Sequence, residues 1–167
     1  MKLYTLNHHL MIRRSLEEVF AFFSRPENLA LLTPPSLGFQ ILTPSPIEMK
    51  EGAVIDYTLQ LFGLTRRWTT LITDFTPPIH FADLQLRGPY AYWHHSHMFS
   101  ATDEGTLMTD VVRYALPLGI LGQRAHELVV KHQLKGIFEY RKAVLATVFP
   151  ESTRSINTMI TNERGSQ

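Results

Sequence analysis

Residues Tyr90–Pro117 read YAYWHHSHMFSATDEGTLMTDVVRYALP, two alternating segments joined by TDEG. Alternation marks a strand, because successive side chains leave a pleated backbone on opposite faces. The link is short and carries a glycine, so the two segments read as an antiparallel hairpin. One face assignment then fixes a whole set. In the second segment Met108, Val112, Tyr114 and Leu116 oppose Thr109 and Arg113, so the first set points inward. Asp110 falls with that inward set, where a carboxylate is costly without a partner. In the first segment Trp93, His95, His97 and Phe99 oppose His94, Ser96 and Met98. Trp93 and Phe99 bury the most apolar area, which places His95 and His97 inside and His94 outside. The hairpin brings these histidines near Asp110, and a carboxylate orients an imidazole by accepting from one ring N–H.

Upstream of the hairpin the signal is again strands. GFQILTP, GAVIDYTLQLFG, LTRRWTTLITDFTPP and IHFADLQLRGPY are set apart by glycine and proline. The chain opens with another, KLYTLNHHLMI, in which Leu6, His8, Leu10 and Ile12 share a face. Between it and the other strands stand two capping patterns, Ser15 with Glu18 and Ser24 with Glu27. They predict two short helices, the first with Val19, Phe20, Phe22 and Phe23 as its apolar stripe, the second stopped by Pro34 and Pro35.

Downstream, no proline occurs between Pro117 and Pro150. The spacing predicts one helix from about Leu121 to Phe149, roughly 40 Å long at 1.5 Å per residue. Val130, Leu134, Ile137, Phe138, Leu145 and Val148 form its sheet-facing stripe. Gly136, unfavourable inside a helix, is read as close packing against a strand, ahead of room for a ligand. The segment from Glu151 to Gln167 is polar and aperiodic and reads as a flexible tail, leaving 1–149 as a single domain and 150–167 outside it. The class is α+β: a curved antiparallel sheet of about six to seven strands, two short helices after the first strand, and a long C-terminal helix as the only element large enough to cover the sheet.

Composition narrows the function. A formal net charge of +1 offers no basic excess for a phosphate backbone, so nucleic acid is not an expected partner. The absence of cysteine excludes disulfides, thiolate catalysis and Cys-ligated zinc, and fits a reducing compartment. No run of apolar residues is long enough for a transmembrane span and the N-terminal stretch has no h-region, so a cytoplasmic protein is expected. No phosphate-cradling glycine pattern occurs.

The element order resembles the SRPBCC superfamily, the helix-grip fold of START-domain, pollen-allergen-like and polyketide cyclase/dehydrase-like proteins. The resemblance is carried by GAVIDYTLQLFGL, RWTTLI, FADLQLRGPYAYWHHSHMF, GTLMTDVVRYALPLGILG and IFEYR, and is nearest to a small bacterial branch of unassigned function. It implies a deep, mainly apolar cavity between sheet and helix, holding a lipid, quinone, polyketide or other aromatic compound. In FADLQL the two lines of reasoning diverge. Apolar content alone turns Leu84 and Leu86 inward, whereas the resemblance favours Phe81, Asp83 and Gln85, and the second assignment is adopted.

The expected ligand-binding wall comprises Tyr57, Trp68, Trp93, Phe99, Val112, Tyr114 and Ile137, with a polar stripe of Asp83, Gln85, His95, His97 and Asp110. Three uses of the stripe stay open: a hydrogen-bonded network that holds the sheet in register, a means of orienting a ligand, or a His–Asp general base with His95, His97 and Asp110 as catalytic residues. His95, His97 and Asp110 also have divalent-ion chemistry, but no H-E-x-x-H occurs and the resembling proteins are not typically metalloproteins, so neither metal nor tightly bound cofactor is expected. Binding of a small hydrophobic molecule comes first. A cyclase- or dehydratase-like enzyme and a protein-interaction module with a vestigial cavity are the alternatives, any protein partner being unspecified.

Overall fold

The computed structural model describes residues 2–61, 63–117, 119, 122, 124, 129–150 and 153–163. Strand β1 (Leu3–Ile12) leads into helix α1 (Leu16–Phe23) and two 3-10 turns, Pro26–Ala30 and Pro35–Leu37. Strands β2 (Gln40–Ile41), β3 (Val54–Leu61), β4 (Leu64–Thr76), β5 (His80–Arg87), β6 (Tyr92–Thr102) and β7 (Gly105–Ala115) follow, then helix α2 (Lys131–Val148) and strand β8 (Thr153–Glu163). The eight strands form one sheet ordered β2-β3-β4-β5-β6-β7-β1-β8, every pairing antiparallel. The hairpin predicted from Tyr90–Pro117 is β6–β7, with Thr102 paired to Gly105 across the turn. Gly105 has φ +131°, and a Cβ there would run into the Ile12 carbonyl, so the turn tolerates no side chain.

Ser15 caps α1 as its spacing predicts, its Oγ accepting from the Glu18 N–H at 3.3 Å. The Ser24–Glu27 pattern does not cap a second α-helix. Ser24 closes α1, and the Glu27 carboxylate accepts instead from Ser45 Oγ (2.8 Å) and the Ile47 N–H (3.1 Å). With its side chain committed to that loop, the segment from Pro26 winds as a 3-10 turn.

The described part of the C-terminal helix starts at Lys131, and most of the expected earlier portion, 121–128, lies outside the described residues. Leu134, Phe138 and Leu145 face the sheet as predicted. The stripe is completed by buried Arg141, whereas Val148, expected inside, is exposed. Gly136 lies on the exposed face with nothing near a built Cβ. Neither close packing nor ligand room accounts for it.

Over Thr153–Glu163 the reading of a flexible tail is corrected. These residues form β8, which pairs with β1 from Leu3 opposite Glu163 to Ile12 opposite Thr153. Without it β1 would present a row of unpaired N–H and C=O groups at the sheet edge. The segment is polar but rich in β-branched Thr and Ile, which suit a strand.

Two packing centres fix the covers. Helix α1 lays Val19, Phe20 and Phe23 against Phe81, Phe99 and Met108, with Phe20 meeting Phe99 edge-on at 5.4 Å. Helix α2 lays Leu134 and Phe138 against Leu6, Val112 and Tyr114. Fully burying one such side chain contributes roughly 1.5–3 kcal/mol. Among the described residues, no helix is long and apolar enough to cross a membrane.

Candidate functional site

Where neither helix lies directly on the sheet, the inward faces of β3–β6, the 3-10 turns and α2 enclose a cavity of about 190 Å³. Its aromatic wall follows from strand pairing. Tyr57 and Trp68 are opposite one another across β3–β4 and stack with centroids 5.9 Å apart. Trp93 meets Trp68 at a right angle (5.3 Å), and Tyr90 leans on Trp93 at 4.7 Å. Ile137 and Phe138 line it from α2. An apolar cavity of roughly 150 Å³ accepts benzene. The space therefore suits one or two rings without rearrangement.

The polar wall is a row across four strands. In register, Asp83 of β5 faces His95 of β6, His97 of β6 faces Asp110 of β7, and Asp110 faces His8 of β1. His95 Nε2–H donates to Asp110 Oδ1 at 2.9 Å. His97 Nδ1 lies 2.8 Å from the same oxygen but off hydrogen-bond alignment, a charge contact rather than a full bond. His8 Nδ1 stands 3.6 Å from Oδ2, too far to bond. On the cavity side, Asp83 Oδ2 is 4.0 Å from His95 Nδ1 and 3.7 Å from His97 Nε2. Arg141 reaches over the row from α2, its Nη1 3.9 Å from Asp110 Oδ1 and its guanidinium 5.0 Å from the Phe138 ring centre.

This packing separates the two inward histidines. Burial, reinforced by His97 beside it, pushes His95 down to about 4 despite its bond to Asp110. Burial also pulls on His97, but the two carboxylates close beside it, Asp110 and Asp83, outweigh it and raise the imidazole. Burial would raise Asp110, yet His8, His95 and His97 together hold it well below the usual carboxylate range.

Of the residues expected at the wall, Tyr57, Trp68, Asp83, Trp93, His95, His97 and Ile137 line the cavity. Phe99, Val112 and Tyr114 face inward but are sealed in the two packing centres, beneath α1 and α2. Asp110 does not line the cavity and touches His95 and His97, which do. Gln85 spends its amide on the Tyr90 backbone, donating to the carbonyl at 2.8 Å and accepting from the N–H at 3.4 Å. It holds the Gly88–Tyr90 turn and does not line the cavity. Outward-facing Leu86 is exposed, which agrees with the inward assignment of Phe81 and Asp83.

Three participants escaped the sequence reading. Tyr90 stands at the start of the predicted strand but is not among the residues expected at the wall. His8 was placed on the right face but given no partner. Arg141 falls on the helical spacing of Leu134, Phe138 and Leu145, the one periodic signal that points to it. Only 8% exposed, it lines the cavity with Nε and Nη1 lacking hydrogen-bond partners, and Trp68 Nε1, from β4, is another buried donor without a hydrogen-bond partner among the lining residues.

No family model matches the chain, and no curated protein matches it. Solved structures do. Protein CV1439 from Chromobacterium violaceum superposes with a TM-score of 0.66 at 14% identity, over 87% of this chain and 96% of that one. A START superfamily protein from Mycobacterium smegmatis gives 0.65 at 11% identity, over 87% and 99%. The di-domain ARO/CYC StfQ from the steffimycin biosynthetic pathway gives 0.61 at 12% identity, over 88% of this chain and 52% of that two-domain protein. At such identities the likeness speaks for architecture alone. One curved antiparallel sheet, a long C-terminal helix and these matches together establish an SRPBCC-like helix-grip fold.

Proposed function

We propose that this protein binds a small hydrophobic ligand of one or two rings in the cavity between the sheet and α2. The observation that carries this reading is the cavity itself: about 190 Å³, walled by Tyr57, Trp68, Tyr90 and Trp93. Its buried donors without hydrogen-bond partners, Trp68 Nε1 and Arg141 Nε and Nη1, favour a ligand with acceptor oxygens. Among the compounds such folds accommodate, that points to a quinone, polyketide or phenolic aromatic ahead of a long-chain lipid. The lack of cysteine accords with a cytoplasmic binder or carrier.

The geometry also favours a second reading. His97 turns Nε2 to the cavity while Nδ1 is held against Asp110, the orientation of a general base. A cyclase- or dehydratase-like reaction would then remove a proton next to a ligand carbonyl.

A matched panel separates the readings: 1,4-naphthoquinone, naphthalene and palmitate, followed by tryptophan fluorescence and thermal shift. Saturable binding of the quinone, tighter than naphthalene and lost in Trp68→Ala, supports the binder. A His97→Gln variant that keeps binding but abolishes conversion of a carbonyl ligand supports the enzyme. No saturation by any probe removes both and leaves a protein-interaction role.

A further inference from the structure

The geometry points to a divalent transition-metal site formed by Asp83, His95 and His97, opening into the cavity. It rests on side-chain positions alone and stands whether or not a hydrophobic ligand binds beside it. One ligand atom from each of the three residues lies within 4.8 Å of the other two. Asp83 Oδ2 is 3.7 Å from His97 Nε2 and 4.0 Å from His95 Nδ1. These gaps exceed a hydrogen bond. In a tetrahedral zinc site with bonds of about 2.1 Å, ligand atoms stand roughly 3.4 Å apart. The two gaps to Asp83 close to that value with movements of a few tenths of an ångström, and the third pair, His95 to His97, starts from within 4.8 Å.

The orientation of the rings matters more than the spacing. His95 donates from Nε2 to Asp110 Oδ1, which leaves its Nδ1 as a lone pair. His97 turns Nδ1 toward the same Asp110 oxygen at 2.8 Å, which leaves Nε2 facing Asp83. One ring nitrogen from each imidazole and a carboxylate oxygen thus face one another, and a divalent ion between them would displace any proton held there. Metal-bound histidines characteristically donate their other ring nitrogen to a carboxylate that fixes the tautomer. Asp110 occupies that position for His95 and stands 2.8 Å from the corresponding nitrogen of His97, and it lies outside the cavity lining formed by Asp83, His95 and His97. Asp83 and Asp110 together supply the negative charge to balance a divalent ion. Three protein ligands leave a fourth position open toward the cavity, as in sites where the metal meets a small molecule. The absence of an H-E-x-x-H motif does not count against this site, since that spacing belongs to a helix and these ligands come from two adjacent strands.

The test uses tag-free protein stripped with a chelator and titrated calorimetrically with Zn²⁺ alone and with Co²⁺ alone. One ion per chain is expected. Asp83→Asn and His97→Gln, checked for folding by circular dichroism, should each weaken binding at least tenfold, and Asp110→Asn by about 10–100-fold. His94→Gln, the outward neighbour in the same histidine run, should leave affinity unchanged. Binding that survives Asp83→Asn but falls in His94→Gln would show adventitious chelation by surface histidines and overturn the site, as would no stoichiometric binding. X-ray absorption of the wild-type zinc form gives an answer independent of any variant. Two imidazoles in the first shell are expected, and an oxygen-only shell or a third imidazole contradicts the assignment.

Discussion

Both halves of the sheet turn alternate side chains inward, yet they end in different environments. Across β1, β7 and the far end of β6, the inward set includes Leu6, Phe99, Met108 and Val112, sealed under α1 and α2. Across β3, β4 and the near end of β6, the inward set of Tyr57, Trp68 and Trp93 meets an open cavity. The strands obey one rule in both halves, so the difference lies in what covers them. The polar row from Asp83 to His8 crosses the boundary. Its sealed end is a buried ion network and its open end is chemistry within reach of a ligand. The cavity wall is a core face left without its second layer.

The largest effect should come from the boundary. Asp110→Ala leaves His95, His97 and Arg141 buried without their shared carboxylate. Breaking a buried ionic group by removing one partner costs about 3–5 kcal/mol, readable by urea denaturation, and a loss under about 1 kcal/mol would mean that the row does not hold the sheet. Next, Phe99→Ala and Trp68→Ala compare the halves directly. A large aromatic cut to alanine in a packed core costs about 3–5 kcal/mol. Phe99 should show that full cost, while Trp68, already bordering empty space, should fall at or below its lower end and lose ligand instead. Equal costs would erase the distinction. Ending the chain at Pro150 removes β8 and bares β1, so concentration-dependent aggregation by light scattering and a lower Tm are expected, with the cavity still competent to bind. A truncated protein that stays monomeric at unchanged Tm would show that β8 does not protect the edge.

The smallest effect is a pH profile of Tm in the chelator-treated protein. His95, held at about 4 in the fold against 6.5 unfolded, is neutral in the native state. The unfolded chain binds more protons between these values, so the stability His95 contributes is present above 6.5 and lost as pH falls toward 4. Asp110, lowered in the fold, extends that acid loss. His97 is raised, so its contribution is complete below 6.5 and declines as pH rises above it. Stability should therefore peak near pH 6.5, and His95→Gln should flatten the acid limb. An unbroken rise across that range in the wild type would contradict the opposed assignments.

Much of this was legible in the residues because alternation is a strong constraint. The TDEG turn and the aromatic content of one face sufficed to orient β6 and β7, and with them His95, His97 and Asp110. What stayed hidden depended on cover and on charge. Phe99, Val112 and Tyr114 were correctly turned inward, but whether an inward residue meets a helix or a void is a tertiary matter that periodicity does not carry. Arg141 sits on the helical spacing of Leu134, Phe138 and Leu145, and a long cationic side chain can lie along an apolar surface, but periodicity alone does not bury a charge. β8 was passed over for its polarity, although β-branched residues make an adequate strand where an open edge waits to be paired. Gln85 was taken for a cavity residue because its face was known and its hydrogen-bond partner was not.

Native mass spectrometry of protein purified without denaturation, with organic extraction of whatever accompanies it, tests the central claim most directly. The account predicts one small, oxygen-bearing ring compound per chain, retained by Phe99→Leu and absent from Trp68→Ala. A wild-type protein that is empty, and that no quinone or aromatic probe stabilises, would contradict it.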